Sequence, residues 1–393
     1  MSESLRKLAI VEYGASPKGI RADHTTHFKI YGTGGCVGYA KEFLFEGPLI
    51  VVARKGTLNN PIYSDANCWV IDTAYAVIPK PEINPKWLYY QLSNFDLTRL
   101  NEATGVPSIN RDFLYRTRFY KVSPSEQKKI ASILSTCDAV IEKTQEAIAK
   151  YKAIKEGMLQ DLFTRGIDIN TGKLRPRYED APDLYKPSKL GWIPKEWEEK
   201  ELGDVGEVRM CRRVFNYETK DKGDIPFYKI GTFGKVPDAY ISKELYDNYR
   251  QKFAFPKKGD ILISAAGTIG RTIIYDGTPS YFQDSNIVWI DNNGTLISNE
   301  YLYQVFQIVK FKTEGGTIQR LYNSILESGT FPRPPKTEQE KITAKLTAID
   351  NQLHVEQAYL KKMQQIKKGL MEDLLTGRKE VKVEEKVLAN EQG

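Results

Sequence analysis

Apolar residues recur at three- and four-residue steps through two long stretches of the chain. The first carries Ile130, Leu134, Cys137, Ile141, Ile148, Tyr151, Ile154, Met158 and Leu162, and the second Ile342, Leu346, Ile349, Leu353, Leu360, Met363, Ile366, Leu370 and Leu374. That spacing predicts helices. The apolar stripe is narrow and the remaining positions are mostly Lys, Glu and Gln, as in a coiled-coil seam. Ile130, Leu134, Ile141, Ile148, Ile154 and Leu162 are the expected seam of the first helix; Ile342, Leu346, Leu353, Leu360, Ile366 and Leu374 form that of the second. Each helix opens after prolines (Pro124; Pro334 and Pro335) and closes at Thr164-Arg165-Gly166 or Thr376-Gly377-Arg378. At about 1.5 Å rise per residue, 39 residues make a rod of roughly 58 Å.

The two stretches are copies. Residues 126–164 align without a gap to 338–376 at a constant offset of 212, with 14 of 39 positions identical; composition alone would give roughly two or three. Gln127 matches Gln339, Asp138 matches Asp350, Gly157 matches Gly369 and Leu162 matches Leu374. The turn-rich regions before the helices repeat more faintly. IVVARKGT from Ile50 echoes ILISAAGT from Ile261, FKIYGT from Phe28 echoes FYKIGT from Phe227, and WLYYQ from Trp87 echoes EYLYQ from Glu300. The loop from Gly105 (GVPSINRDFL) echoes that from Gly315 (GGTIQRLYNSIL). Short apolar runs between turn residues read as strands.

The expected organisation is therefore a first globular domain (1–122), a long helix (123–166), a Pro- and charge-rich linker (167–197), a second globular domain (198–333), a second long helix (334–378) and a charged tail that frays (379–393). The fold class is α+β: two globular domains of short strands and helices separated by two long antiparallel coiled-coil helices, in a pseudo-two-fold repeat.

Composition adds little. Net charge is +7, from 57 Lys+Arg against 50 Asp+Glu, a mild excess that suits a polyanion without demanding one. The four cysteines (Cys36, Cys68, Cys137, Cys211) form no C-x-x-C pair, and with His24 and His27 match no familiar zinc spacing, so no metal is expected. No stretch approaches a membrane span and residues 1–20 hold no signal-type apolar run, so the expected setting is the reducing cytoplasm.

Catalytic motifs are wanting. Asn60-Pro61-Ile62-Tyr63 lacks the second proline of an amino-methyltransferase loop, and no Walker A sequence occurs. Pro182-Asp183 with Glu198-Glu199-Lys200 fits the loose pattern of metal-dependent nucleases, but the pattern arises readily by chance and surface charge explains it as well. Gly32-Thr33-Gly34-Gly35 fails the dinucleotide spacing at Val37 and reads as a tight turn.

Four motifs carry a resemblance to a known family. SPSEQKKI (from Ser123) and PPKTEQEKI (from Pro334) are similar to the helix starts of type I restriction–modification specificity subunits; GWIPKEW (from Gly191) and GDILISAAGTIG (from Gly259) resemble segments of their target-recognition domains. The resemblance spans nearly the whole chain. The first half departs from it in lacking the Gly-Trp opening and in having Val122-Ser123 where the second has Pro334-Pro335. It implies a non-catalytic subunit that reads a bipartite, asymmetric site in double-stranded DNA, one half-site per domain. The helices would set the spacing and dock two methyltransferase subunits, with restriction–translocase subunits joining the assembly. S-adenosylmethionine, ATP and Mg would belong to those partners, with no cofactor here. Alternatives are a single-chain DNA methyltransferase or nuclease, and a coiled-coil scaffold without DNA binding.

Base reading needs Arg or Lys for guanine and Asn or Gln for adenine; phosphates take Lys, Arg, Ser and Thr. Loops at matched positions in the two halves are the expected contact surface. In the first half these are Lys29, Tyr31, Arg54, Lys55, Thr57, Asn59, Asn60, Ser108, Asn110 and Arg111; in the second, Lys229, Thr232, Lys235, Ser264, Thr268, Arg271, Gln319, Arg320 and Tyr322, with Arg209, Arg212 and Arg213 as a basic cluster.

Overall fold

The computed structural model describes residues 2–23, 28–311 and 320–382. It divides into two compact units, Met1–Ala147 with Glu356–Gly393, and Ile148–Val355. Each long helix contributes to both units: the first runs Pro124–Thr164 and the second Lys336–Leu375.

In the first unit, Ala9–Tyr13, Ala74–Pro79, Leu49–Ala53 and Ile62–Ser64 lie side by side in that order, every pair antiparallel. The LIVVA strand is buried along its whole length because both faces are covered. Its period of two splits the side chains. Ile50 and Val52 join the cluster of Leu5, Val77, Trp87 and Leu88, while Leu49 and Val51 pack with Tyr31, Cys68 and Val70. A second sheet places Phe28–Gly32 between Gly35–Ala40, antiparallel, and Trp69–Val70, parallel. Helix Pro85–Asn94 starts where the Asn84 side chain accepts from the Trp87 N–H at 3.0 Å, with proline at its first position.

The second unit repeats this plan. Val208–Met210, Ile287–Ile290, Ile261–Ser264 and Thr272–Ile274 are neighbours in the same order, all antiparallel. Ile225–Tyr228 again pairs in parallel, with Tyr281–Phe282. Ile261 and Ile263 face one core cluster and Leu262 the other. Ser298 caps helix Asn299–Ile308 by accepting from the Tyr301 N–H at 3.2 Å.

Within each unit the helices pass antiparallel. In the first, Ile130 and Leu134 share a core with Leu374 and Leu375, and Asp138 pairs with Lys367. In the second, Leu162 shares a core with Ile342 and Leu346, and Lys155 pairs with Asp350 at 2.6 Å. These ion pairs are images of each other under the 212-residue repeat. They also correct the expected seam. Ile148 and Leu353 are buried, but Ile154 and Ile366 are 39% and 40% exposed, while Ile141 and Leu360 are intermediate. The neighbouring Lys155 and Lys367 are largely buried instead, their ammonium groups reaching the aspartates. The two successive three-residue steps before each isoleucine carry it round the helix away from the seam.

The segment 167–197, expected as a linker, is built into the second unit. Tyr185–Ser188 and Gly191–Pro194 form an antiparallel ribbon, and Ile167, Ile193 and Trp197 are core residues. Prolines suit such a two-stranded ribbon because its outer edges need no donors. Its polar anchor is Glu338, which is buried and accepts from the Ile167 N–H (2.7 Å), the Trp197 Nε1–H (2.9 Å) and both terminal nitrogens of Arg175. Its repeat equivalent, Glu126, is solvated and caps its own helix, accepting from the Ser123 N–H (2.8 Å) and hydroxyl (2.6 Å). Those bonds hold the Glu126 carboxyl below its ordinary value. Of the tail 379–393, residues 383–393 lie outside the described residues.

Candidate nucleic-acid interface

In the first unit, three loops meet at the end of the four-stranded sheet. The end of the Leu49–Ala53 strand leads directly into Arg54 and Lys55, whose N–H groups both donate to the Thr73 carbonyl. Lys55 bridges to Ser108, the Ile109 N–H donates to the Arg54 carbonyl (2.9 Å), and the Gly56 N–H donates to the Pro107 carbonyl (2.8 Å). Asn60 reaches the Thr33 carbonyl at 3.3 Å. Asn110 caps helix Arg111–Arg116 by accepting from the Asp112 N–H. Lys55, Thr57, Asn59, Asn60 and Asn110 are exposed here, with Arg54, Ser108 and Arg111 half-buried among them. Asn59 also donates to Asp96 at 2.8 Å. Lys29 is exposed on the neighbouring strand.

The second unit builds the same junction from different side chains. Ala266 bridges to Arg320, and the Leu321 N–H donates to the Ala265 carbonyl (2.8 Å). Arg54 therefore corresponds to Ala265, Lys55 to Ala266, Ser108 to Arg320 and Asn110 to Tyr322. Beside it, the Ala265 N–H donates to the Asn286 carbonyl, and Arg213 pairs with Asp284 at 2.9 Å. Ser285 between them has φ of 53°, a left-handed conformation that costs a non-glycine residue energy and marks a loop held in place by its surroundings. Arg213, Thr268, Arg320 and Tyr322 are exposed on this surface. Arg212 lies over the Phe253 ring, 5.3 Å from its centroid. Lys229 and Thr232 share a turn in which Lys229 pairs with Asp238, and Lys235 is exposed just beyond it. Arg209 pairs with Glu207 on the edge strand.

Three expected contacts do other work. Tyr31 is buried in the core with Leu49, Val51 and Val70, because its strand position points inward. Ser264 is buried too; its hydroxyl donates to the Thr268 carbonyl and accepts from the Arg271 N–H, closing the turn that shapes the loop. Arg271 donates to the Phe233 carbonyl at 2.8 Å and braces two loops together. Gln319 lies outside the described residues.

Sequence reasoning missed Tyr13. Its ring is half-exposed and packs 5.2 Å from Tyr75, with the guanidinium of Arg54 at 5.3 Å and that of Arg111 at 4.8 Å from its centroid. Tyr75 donates to the Ile109 carbonyl at 3.0 Å, and burial pushes its hydroxyl up to about 12, so it stays a donor. The strand alternation ending at Tyr13-Gly14 was the only signal available. Phe215 and Tyr217 were missed as well: they stack at 5.5 Å with rings 6° from parallel, Tyr217 being 83% exposed.

The nuclease-like pattern is otherwise engaged. Glu198 pairs with Lys200 and Arg333, Glu199 pairs with Lys189, and no metal-ligand cluster occurs among the described residues. Gly32-Thr33-Gly34-Gly35 is a hairpin turn, with Gly32 facing Gly35. No helix among the described residues is long and apolar enough to cross a membrane.

Two repeated α+β units, each with a polar loop junction at the end of a four-stranded sheet, define a duplicated recognition protein. The family described as type I restriction modification DNA specificity domain matches residues 15–151 and 194–365. The chain belongs to that family. It is 40% identical over 325 residues to a Haemophilus influenzae protein provisionally assigned as a type I restriction enzyme specificity subunit, covering 81% of this chain and 79% of that one. It is 24% identical over 314 residues to the type I restriction enzyme MjaVIII specificity subunit of Methanocaldococcus jannaschii, covering 75% and 70%. Its fold is similar to the crystal structure of a type I restriction-modification S subunit from M. genitalium, with TM-score 0.64, 16% identity, and 95% and 96% of the two chains covered.

Proposed function

We propose that the chain is the DNA-reading, non-catalytic subunit of a type I restriction–modification assembly, with each unit recognising one half of a bipartite, asymmetric site. The observation that carries this reading is the loop junction built twice on one backbone plan: Lys55 against Ser108 in the first unit and Ala266 against Arg320 in the second. A shared backbone presents both junctions to DNA in equivalent ways, while different side chains read different bases. The two halves of the site consequently differ in sequence. The long helices, about 60 Å each at 1.5 Å per residue, suffice to set half-sites a turn of roughly 34 Å apart.

The helices also dock two methyltransferase subunits, because a pseudo-two-fold pair of surfaces accepts two copies of one partner. S-adenosylmethionine, ATP and Mg enter through those subunits and the restriction subunits, and the assembly works on cytoplasmic DNA.

Titrating salt against DNA affinity tests the reading. Phosphate neutralisation releases counterions, so affinity falls steeply as salt rises; a scaffold shows no binding even at low salt. Methyl transfer by the pure chain supplied with S-adenosylmethionine and DNA would overturn the non-catalytic assignment.

A further inference from the structure

We propose that Tyr13, Arg54 and Arg111 form a guanine reader belonging to the first unit alone. This inference rests on the DNA-reading function above and adds which residues read and what they read.

Tyr13 ends strand Ala9–Tyr13, and two guanidinium groups lie within 5.3 Å of its ring centroid. Arg54 is fixed further by donating through Nη1 to the Asp72 carbonyl at 3.1 Å. Among the described residues neither guanidinium forms an ion pair. Two like charges held on one ring, without a carboxylate between them, call for a ligand rich in acceptors. The ring attracts each cation and holds it in place.

Two features favour a base over a phosphate. Both guanidinium groups are held in advance on the Tyr13 ring, and Arg54 also on the Asp72 carbonyl, which matters for a bidentate contact and little for a point charge on phosphate. Most tellingly, the second unit keeps the backbone and drops the cluster. Matching strand pairs put Met210 where Tyr13 lies: Tyr13 faces Tyr75, which faces Val52, and Met210 faces Val288, which faces Ile263. The bridged loops put Ala265 in place of Arg54, and Asn323 follows Tyr322 as Arg111 follows Asn110. Backbone phosphates are common to both half-sites, so a phosphate grip would recur in both units. A base reader need not recur. Among base edges in the major groove, guanine offers the paired N7 and O6 acceptors that arginine matches bidentately.

The test maps methylated sites genome-wide in cells carrying the full chain and its partner subunits, for wild type, R54K/R111K and Y13A. The wild-type motif should contain a required guanine in one half-site. R54K/R111K keeps both charges and loses the planar fork; the requirement for that guanine should relax by roughly tenfold or more, with the other half-site unchanged. Y13A should relax the same position more weakly. Unchanged base preference in R54K/R111K, or relaxation spread evenly over both half-sites, overturns the guanine reader and leaves the two-unit reading intact. A wild-type map with no motif that depends on this chain overturns both.

Discussion

Replacing Glu338 by alanine should be among the most damaging single changes in the second unit, and the same change at its repeat partner Glu126 should be mild. Glu338 is 1% exposed and answers four donors: two on Arg175, one on Trp197 and the Ile167 amide. Alanine leaves the Arg175 charge, itself only 11% exposed, without its buried counter-ion and strands the Trp197 and Ile167 N–H groups. Breaking a buried pair from one side costs about 3–5 kcal/mol. Glu126 is solvated, and its loss removes part of a helix cap worth about 1 kcal/mol. The expected difference is therefore about 3 kcal/mol between identical substitutions at matched positions. Urea unfolding followed by intrinsic Trp fluorescence reads it, because Trp197 and Trp289 are buried in the second unit. E338A should lower the midpoint of that transition strongly, and E126A should leave it nearly unchanged. Equal, small shifts from the two variants would refute the idea that residues 167–197 are structural and pinned by Glu338.

Other consequences follow from the same structure. Swapping the charges of one helix pair (K155D/D350K) should restore most of the stability that K155D alone removes, by about 1–3 kcal/mol of coupling in a double-mutant cycle; additive losses would deny the pair a role. Gly166 sits at φ +65°, and an added Cβ would come within 2.2 Å of Glu338 and Trp197, so G166A should destabilise the second unit by more than 1 kcal/mol in the same urea assay. Thiol labelling of the native chain should modify exposed Cys36 rapidly. Burial pushes the Cys211 thiol up to about 12 and Cys68 to about 11, so both stay protonated and inert at pH 8 and react only on unfolding. Arg320→Ala should weaken binding to DNA carrying its half-site more than binding to a scrambled sequence; equal loss on both would make it a phosphate contact.

What was legible in the sequence was whatever repeats or alternates. The long helices were visible because their apolar steps recur over ten turns, and the duplication because 14 positions coincide. The seam failed at Ile154 and Ile366 because a step count cannot show that a neighbouring lysine will be buried instead when an aspartate waits opposite. The ribbon at 185–194 was hidden by prolines, which mark loops by composition yet fit a ribbon edge. Tyr31 and Ser264 have the residue types of a contact surface, but their strand positions point them inward. Tyr13 was invisible for the opposite reason: its partners, Arg54 and Arg111, are brought to it by sheet order and a loop bridge, neither of which local pattern encodes.

Comparing the methylated motifs of the host genome with and without this chain tests the central claim most directly. Two duplicated reading units predict a motif that vanishes with the chain and consists of two different specified blocks flanking a run of unspecified bases. A single contiguous block, or methylation that persists unchanged in its absence, would contradict the account.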